Sequence, residues 1–174
     1  MRSPVIEQAM EIGLKAVKLY FLAGLPGETA ADRRAISDLV RELAERFPDC
    51  RFTASVNPFV PKPHTPLQRV RVPDYRSLRK YLRQIRASLE EIPMVQVQIG
   101  SARWAAVQTA ISRGGRELSD ALIEASVSQT RFSQTAKLFA GAGHDLTAAA
   151  EPVDLETLPW DFIDPTCHLS RGDG

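Results

Sequence analysis

The chain has 174 residues, 44% of them hydrophobic and 25% charged, with a formal net charge of +1, the composition of an ordinary soluble globular protein of one or two domains. No uninterrupted apolar run approaches the roughly 20 residues that span a bilayer, and the amino terminus leads into an amphipathic helix instead of a signal-peptide core, so the reading is a cytoplasmic chain with no membrane partner. Its two cysteines, Cys50 and Cys167, lack the close spacing of a metal knuckle or redox pair and read as unrelated free thiols.

Ser3 followed by Pro4 is a helix N-cap with proline at the first helical position, and Val5, Ile6, Ala9, Met10 and Leu14 continue an apolar face. Residues 17–22 are apolar except for Lys18, as expected of a strand covered on both faces in the middle of a parallel sheet. After Gly24-Leu-Pro-Gly27-Glu28-Thr29, the Thr29 and Asp32 pair makes a capping box, and Ala35, Ile36, Leu39, Val40, Leu43 and Phe47 recur at helical spacing. That helix ends before Pro48, and residues 51–56 restart an extended segment, so residues 17–57 form one strand-helix-strand unit with a right-handed crossover.

Five prolines from Pro58 to Pro73 remove backbone donors and exclude helix, which predicts a stiff, extended excursion over the surface. Asp74 then caps a helix to about Glu91 with Leu78, Leu82, Ile85 and Leu89 on its buried face, and residues 94–99 alternate like a strand with one wet face at a sheet edge. Ser101 opens a helix carrying Trp104, Val107, Gln108 and Ile111, closed by Gly114-Gly115, and two more helices are expected over residues 117–126 and 130–140. The remaining tail is acidic and is expected on the surface, pinned by Leu158, Trp160 and Phe162.

Charge is distributed unevenly along this order. Residues 69–86 hold seven Lys or Arg against Asp74, whereas from Ala140 onward seven Asp or Glu face Arg171 alone, so the two regions are expected to attract each other. Arg76, Arg79, Arg83 and Arg86 share one face of the 74–90 helix, which fits either a solvated surface or a phosphate-bearing partner such as tRNA.

The two strand-end loops are the most specific features. Gly24-x-x-Gly27 after a strand fits a tight turn or an anion-binding loop, but the absence of Gly-Lys-Ser/Thr excludes a nucleoside triphosphate P-loop. His64, alone among prolines, fits a structural hydrogen-bonding role better than a metal site. His144 and His168, far apart in acidic surroundings, read as surface residues. Asn57 fits a bond either to a neighbouring loop or to a ligand. Glu28 fits a helix-dipole role at the following first turn better than acid–base work.

Taken together and in this order, Tyr20-Phe-Leu22-Ala-Gly24-Leu-Pro-Gly27-Glu28-Thr29 and Phe59-Val-Pro-Lys-Pro-His-Thr-Pro-Leu-Gln68 resemble the fifth-strand GxIxGLPGET and sixth-strand FxPKPHTPFQ segments of the radical S-adenosylmethionine (SAM) superfamily. The likeness extends to its cobalamin-binding-type members. Ser112-Arg113-Gly114-Gly115-Arg116 is similar to their SRGDRR-type segment, and Leu158-Pro-Trp160-Asp161-Phe-Ile163-Asp164 to their PWDxID stretch.

The resemblance implies an α/β fold, namely the C-terminal part of a partial (β/α)6 radical SAM barrel with a helical C-terminal extension. It divides the chain into residues 1–92 as the last strands and helices of the barrel, 93–150 as a strand plus helical extension, and 151–174 as an acidic tail. Met1 falls just before a mid-barrel helix, as an internal methionine of a longer protein does. The resemblance also implies that Leu22, Gly24, Phe59 and Val60 flank the adenine and ribose of SAM, binding without reacting.

The sequence departs from the family in three places. CxxxCxxC, whose thiolates hold a 4Fe-4S cluster, is absent, as are the first four strands and any cobalamin-binding domain. Tyr20 stands where the family has the first glycine of the fifth-strand motif. The implied parent would use SAM, a 4Fe-4S cluster and, in the cobalamin-binding type, cobalamin to begin radical chemistry on an unidentified substrate. This chain alone is expected to be inactive, completed by a missing N-terminal barrel half or a split partner. The rival is a non-enzymatic docking or nucleic-acid-binding module using the basic helix 74–90. A complete enzyme of unrelated chemistry finds no nucleophile–base or metal constellation to support it.

Overall fold

The computed structural model describes residues 4–152 and 158–163. α1 (Pro4–Glu11), β1 (Ala16–Ala23), α2 (Ala30–Arg46), β2 (Arg51–Pro58), α3 (Tyr75–Glu90) and β3 (Val95–Ile99) follow one another, then α4 (Ala102–Arg113), a 3-10 turn (Arg116–Leu118), α5 (Ser119–Val127) and α6 (Phe132–Gly141). The cap expected at Ser3 lies outside the described residues, as do Cys167 and His168.

Side-chain caps set the helix starts, because the first N–H groups of a helix have no partner within it. The Thr29 hydroxyl accepts from the Asp32 N–H at 3.3 Å while the Asp32 carboxylate accepts from the Thr29 N–H at 2.8 Å, the reciprocal pair read from the sequence. Asp74 accepts from the Ser77 N–H at 3.0 Å to open α3, and Ser101 from the Trp104 N–H at 3.4 Å to open α4.

The three strands form a parallel sheet in the order β1-β2-β3, with Ala16 beside Arg51 and Phe52 beside Val95. Spatial order equals chain order, so the crossover helices α2 and α3 lie on one face. There Ala23, Val40, Ala54, Val56, Leu78, Leu82, Ile85 and Leu89 make the main core. α1 joins the same face through Ile6 and Met10, packed near Val17 and Leu19. On the opposite face Lys18, Tyr20, Leu22, Asn57, Gln96 and Gln98 are exposed.

This arrangement corrects the expectation that residues 17–22 form a central strand. β1 is an edge strand among the described residues, and Tyr20 and Leu22 remain 70% and 50% exposed. Its apolar run suits cover on both faces, but all three neighbouring helices stack on the side of Leu19 and Phe21. β3 is an edge, as its alternation predicts.

The proline-rich segment also differs from expectation. It has no regular structure over residues 59–62, turns and bends over 63–70, and buries Pro61 fully. Proline fixes φ in the range suited to turns as well as to extended chain. His64 adopts φ 57 and donates its N–H to Gln68 Oε1 at 2.8 Å. The segment ends in an antiparallel bridge, Val72 N–H to Ala150 C=O at 2.9 Å.

α4, α5 and α6 share a second, smaller core of Val107, Leu118, Ala121, Phe139 and Leu146. Gly114 is required at its corner, because a Cβ there would lie 2.3 Å from Leu118 Cδ1. Of the three residues expected to pin the tail, Leu158 and Trp160 are buried while Phe162 is 81% exposed. The expected attraction between the basic and acidic regions takes the form of an Arg71–Glu151 ion pair at 3.2 Å.

Candidate functional site

The C-terminal ends of β1, β2 and β3 open on the same edge of the sheet, where the backbone leaves its ladder and parallel α/β proteins gather their ligands. Gly24 and Gly27 take φ 89 and 77, a region that excludes most side chains. Glu28 folds back over this turn. Its Oε2 accepts from the Gly24 N–H at 2.7 Å and its Oε1 pairs with Arg33 Nη1 at 2.9 Å. The choice between tight turn and anion-binding loop resolves at this point: the loop amides hold an anion, and that anion is the chain's own Glu28. The carboxylate acts on the loop amides rather than chiefly on the helix dipole, and both its oxygens are engaged.

The second loop continues the ladder by one bond, Phe59 N–H to Ala23 C=O at 2.8 Å. Phe59 is thereby buried, and Val60 stands beside it, half-buried. Together with Leu22, Asn57 and Trp104 they line a cleft of about 360 Å³. Gly100 forms its floor, since a Cβ there would meet Asn57 Oδ1 at 2.8 Å and Pro58 Cδ at 2.6 Å. At the rim Lys62 Nζ donates to Gln108 Oε1 at 3.1 Å.

Of the four residues singled out in the sequence, Leu22, Phe59 and Val60 share this cleft, whereas Gly24 lies apart in a more polar depression with Arg33, Arg71 and Tyr81. A Cβ on Gly24 would press to 2.9 Å from Leu78 Cδ1 on the helical side of the sheet. Gly24 therefore positions the end of β1 against α3. Sequence reasoning left Asn57 unassigned and passed over Gly100 and Trp104. The available signal was a glycine ending an alternating strand just before a serine N-cap, with an aromatic residue in the following first turn.

No carboxylate or histidine is among the described residues that line the cleft. The carboxyls held below their usual range are caps and turns: Asp32 by the Thr29 hydroxyl, Asp74 by the Ser77 hydroxyl, Glu117 by the Gly115 N–H and Asp145 by the Thr147 hydroxyl. Burial pushes the Cys50 thiol up, which disfavours the thiolate that metal binding needs. With two cysteines in the chain, and Cys50 in the core beside Phe52 on the helical face, the residues present do not fit a three-thiolate cluster. His144 keeps part of its side chain at the surface, as expected, and there bonds Glu117 Oε1 at 3.0 Å. No helix among the described residues is long and apolar enough to cross a membrane.

No family model and no solved structure matches the chain. It is 31% identical over 115 residues to an uncharacterized protein of Methanocaldococcus jannaschii, an alignment that takes in 66% of this chain and 24% of that protein. The chain thus spans about a quarter of the length of the curated relative it matches.

Proposed function

We propose that the chain is the C-terminal segment of a radical SAM enzyme and that the cleft of Leu22, Phe59 and Val60 is the adenine and ribose side of its SAM site. The observation that carries this reading is the one-sided sheet. Parallel sheets are stable with both faces covered or when closed into a barrel, and here three consecutive strands put every crossover helix on one face. The bare face and the free edge of β1, with Tyr20 and Leu22 exposed, suit strands supplied by the rest of a barrel, on the same polypeptide or a split partner. The fragment reading also accords with the short span of the relative that the chain covers.

In this reading Leu22 and Val60 give apolar contact to the adenine, Asn57 offers its side-chain amide, and Gly24 holds the β1 terminus from behind. The 4Fe-4S cluster, and cobalamin where the parent uses it, belong to the remainder of the parent, as does the substrate site. The test is titration of the chain with S-adenosylhomocysteine, followed by amide chemical shifts. Saturable shifts at Leu22, Asn57, Val60 and Gly100 that vanish in Leu22→Asp are expected. No shifts up to about 10 mM, a range in which even contacts worth only ~3 kcal/mol register, would remove the proposal. Sequencing upstream of Met1 gives a second check: the reading requires CxxxCxxC in that frame or in an adjacent one.

A second reading, docking of nucleic acid, is favoured by one observation. Arg76, Arg79, Lys80 and Arg83 are all exposed on α3, and among the described residues the stripe's ion pair is Arg86 with Glu90 at 3.4 Å. The uncompensated cations fit a phosphate backbone.

A further inference from the structure

A second hollow, independent of the strand-end cleft, lies where α3 and α4 meet the segment after α6. It measures about 240 Å³, larger than a 150 Å³ engineered cavity known to admit benzene. Ala105, Ala106 and Ala110 on α4 face the alanines of residues 148–150 across it. The alanines on both walls leave the space, which Tyr75, Leu78 and Leu146 also border and Arg113 closes by reaching from α4 to the Glu151 carbonyl.

Two polar groups in this lining have no partner. Thr109 is buried to 6% exposure, and its Oγ1 makes no hydrogen bond among the described residues; the same holds for Arg113 Nε. The rest of the Arg113 guanidinium is anchored, Nη1 to the Glu151 C=O at 2.7 Å and Nη2 to the Val70 C=O. Both partners are neutral carbonyls, and among the described residues no carboxylate lies within ion-pair distance of the cation. Burial lowers its pKa, the direction expected of a desolvated cation lacking a counter-charge. Burying a donor without a partner is unfavourable, and a ligand acceptor would relieve that cost.

Thr109 and Arg113 are four residues apart on α4, so their side chains leave the same face of the helix. Both residues line the hollow and each carries one unpartnered donor, a hydroxyl and an N–H, which together match the two oxygens of one carboxylate. We propose that this alanine-lined hollow binds a small apolar molecule ending in one carboxylate, its oxygens accepting from Thr109 Oγ1 and Arg113 Nε and its body filling the space between α4 and residues 148–150. Neither orphan atom is open to solvent, so entry requires rotation of Thr109 about χ1, one of two rotamers that threonine readily takes in a helix. Asp145, exposed at the mouth and bonded to Thr147, disfavours a second anionic group there.

The test uses the full chain, with benzoate, benzyl alcohol and phthalate as probes, followed by saturation-transfer NMR and calorimetry. Benzoate is expected to bind saturably at one site, about tenfold or more tighter than benzyl alcohol or phthalate, as a charge-assisted bond pair implies. The shape-conserving Thr109→Val is expected to weaken benzoate by about fivefold or more while leaving the fold intact, because it removes one donor and no volume. Ala106→Leu fills the hollow and is expected to abolish binding. Absence of saturable benzoate binding overturns the proposal, as do equal affinities for benzoate and benzyl alcohol, or an unchanged affinity in Thr109→Val. Arg113→Lys is secondary, since giving up the bonds to both carbonyls by itself loosens the fold; Thr109→Val decides the matter without it.

Discussion

The indole N–H of Trp160 donates to Gln68 Oε1 at 3.0 Å across 92 positions of sequence. The same oxygen accepts the His64 backbone N–H at 2.8 Å. One side-chain amide thus fixes the left-handed turn at His64 and ties the proline-rich loop to the end of the described chain. Two of the four segments singled out by their likeness to one family, residues 59–68 and 158–164, therefore meet at a single oxygen.

Replacing Gln68 by Leu should leave the buried Trp160 N–H and the His64 N–H without an acceptor. A loss of about 1–3 kcal/mol in unfolding free energy is expected, measured by urea titration with Trp160 fluorescence as the probe. Because Trp104 is 66% exposed and Trp160 is buried, the emission shift on unfolding reports mainly on Trp160. A stability equal to that of the parent chain would mean the clasp contributes nothing.

Gly24→Ala should destabilise by about 2–4 kcal/mol, combining the left-handed backbone with overlap on Leu78. Gly27→Ala, at φ 77 with nothing within 4 Å of its Cβ, should lose only about 1–2 kcal/mol. The ordering of the two variants in thermal or urea denaturation is the check, and equal losses would show that the packing against α3 is unimportant.

Glu28→Gln should open the Gly24 turn, since it removes a charge held by Arg33 and by two loop amides. Both side chains of the ion pair are largely shielded from solvent, so a loss of about 1–3 kcal/mol is expected. Faster amide exchange at Gly24, the group that Oε2 caps, distinguishes this local opening from global destabilisation.

The Asp74 cap should be dependent on pH. Its carboxyl is held below its ordinary value of 3.8 chiefly by the Ser77 hydroxyl and N–H. A folded-state pKa below the unfolded one gives stability that is present above the unfolded value and lost as pH falls through the folded one. Asp74→Ala should therefore cost about 1 kcal/mol near neutrality, and the gap between the two melting temperatures should narrow once pH falls below 3.8 and close as the folded-state carboxyl is protonated. A gap that persists to lower pH would point to altered packing instead of a missing carboxylate.

Neutralising Arg76, Arg79 and Arg83 together to Gln tests the nucleic-acid reading. If α3 docks RNA, the parent chain should bind at low ionic strength with an affinity that falls as salt rises. The triple variant should then show a shallower salt slope, by about 0.7–0.9 for each phosphate that is no longer neutralised. No binding by the parent chain at low salt would remove this reading.

The helices were legible because their signals are local. Thr29 with Asp32, Asp74 with Ser77, and Leu78, Leu82, Ile85 and Leu89 at helical spacing each declare an element within one or two turns of chain. The strand-end loops were legible as a pair for the same reason, and Leu22, Phe59 and Val60 do converge. Gly24 sits two residues from Leu22, a spacing that a pleat alone keeps on one face, yet its left-handed backbone just past the end of β1 turns it toward Leu78 of α3. Gly100 had a local mark, its place between an alternating strand and a serine N-cap, but the approach of Asn57 from another strand that requires it did not, and nothing local shows that Thr109 and Arg113 lack partners.

By itself, then, the sequence determined which segments are helices and strands, where they are capped, and that two specific loops follow two parallel strands. Periodicity and capping act over a few residues and carry that information in the chain. Only the tertiary structure decided that β1 lies at an edge with Tyr20 and Leu22 bare, that Glu28 occupies its own anion-binding loop, and that an alanine-lined hollow surrounds two unsatisfied donors. Those outcomes depend on which distant surfaces come together and which are left without a neighbour, a property of packing that no short stretch of residues contains.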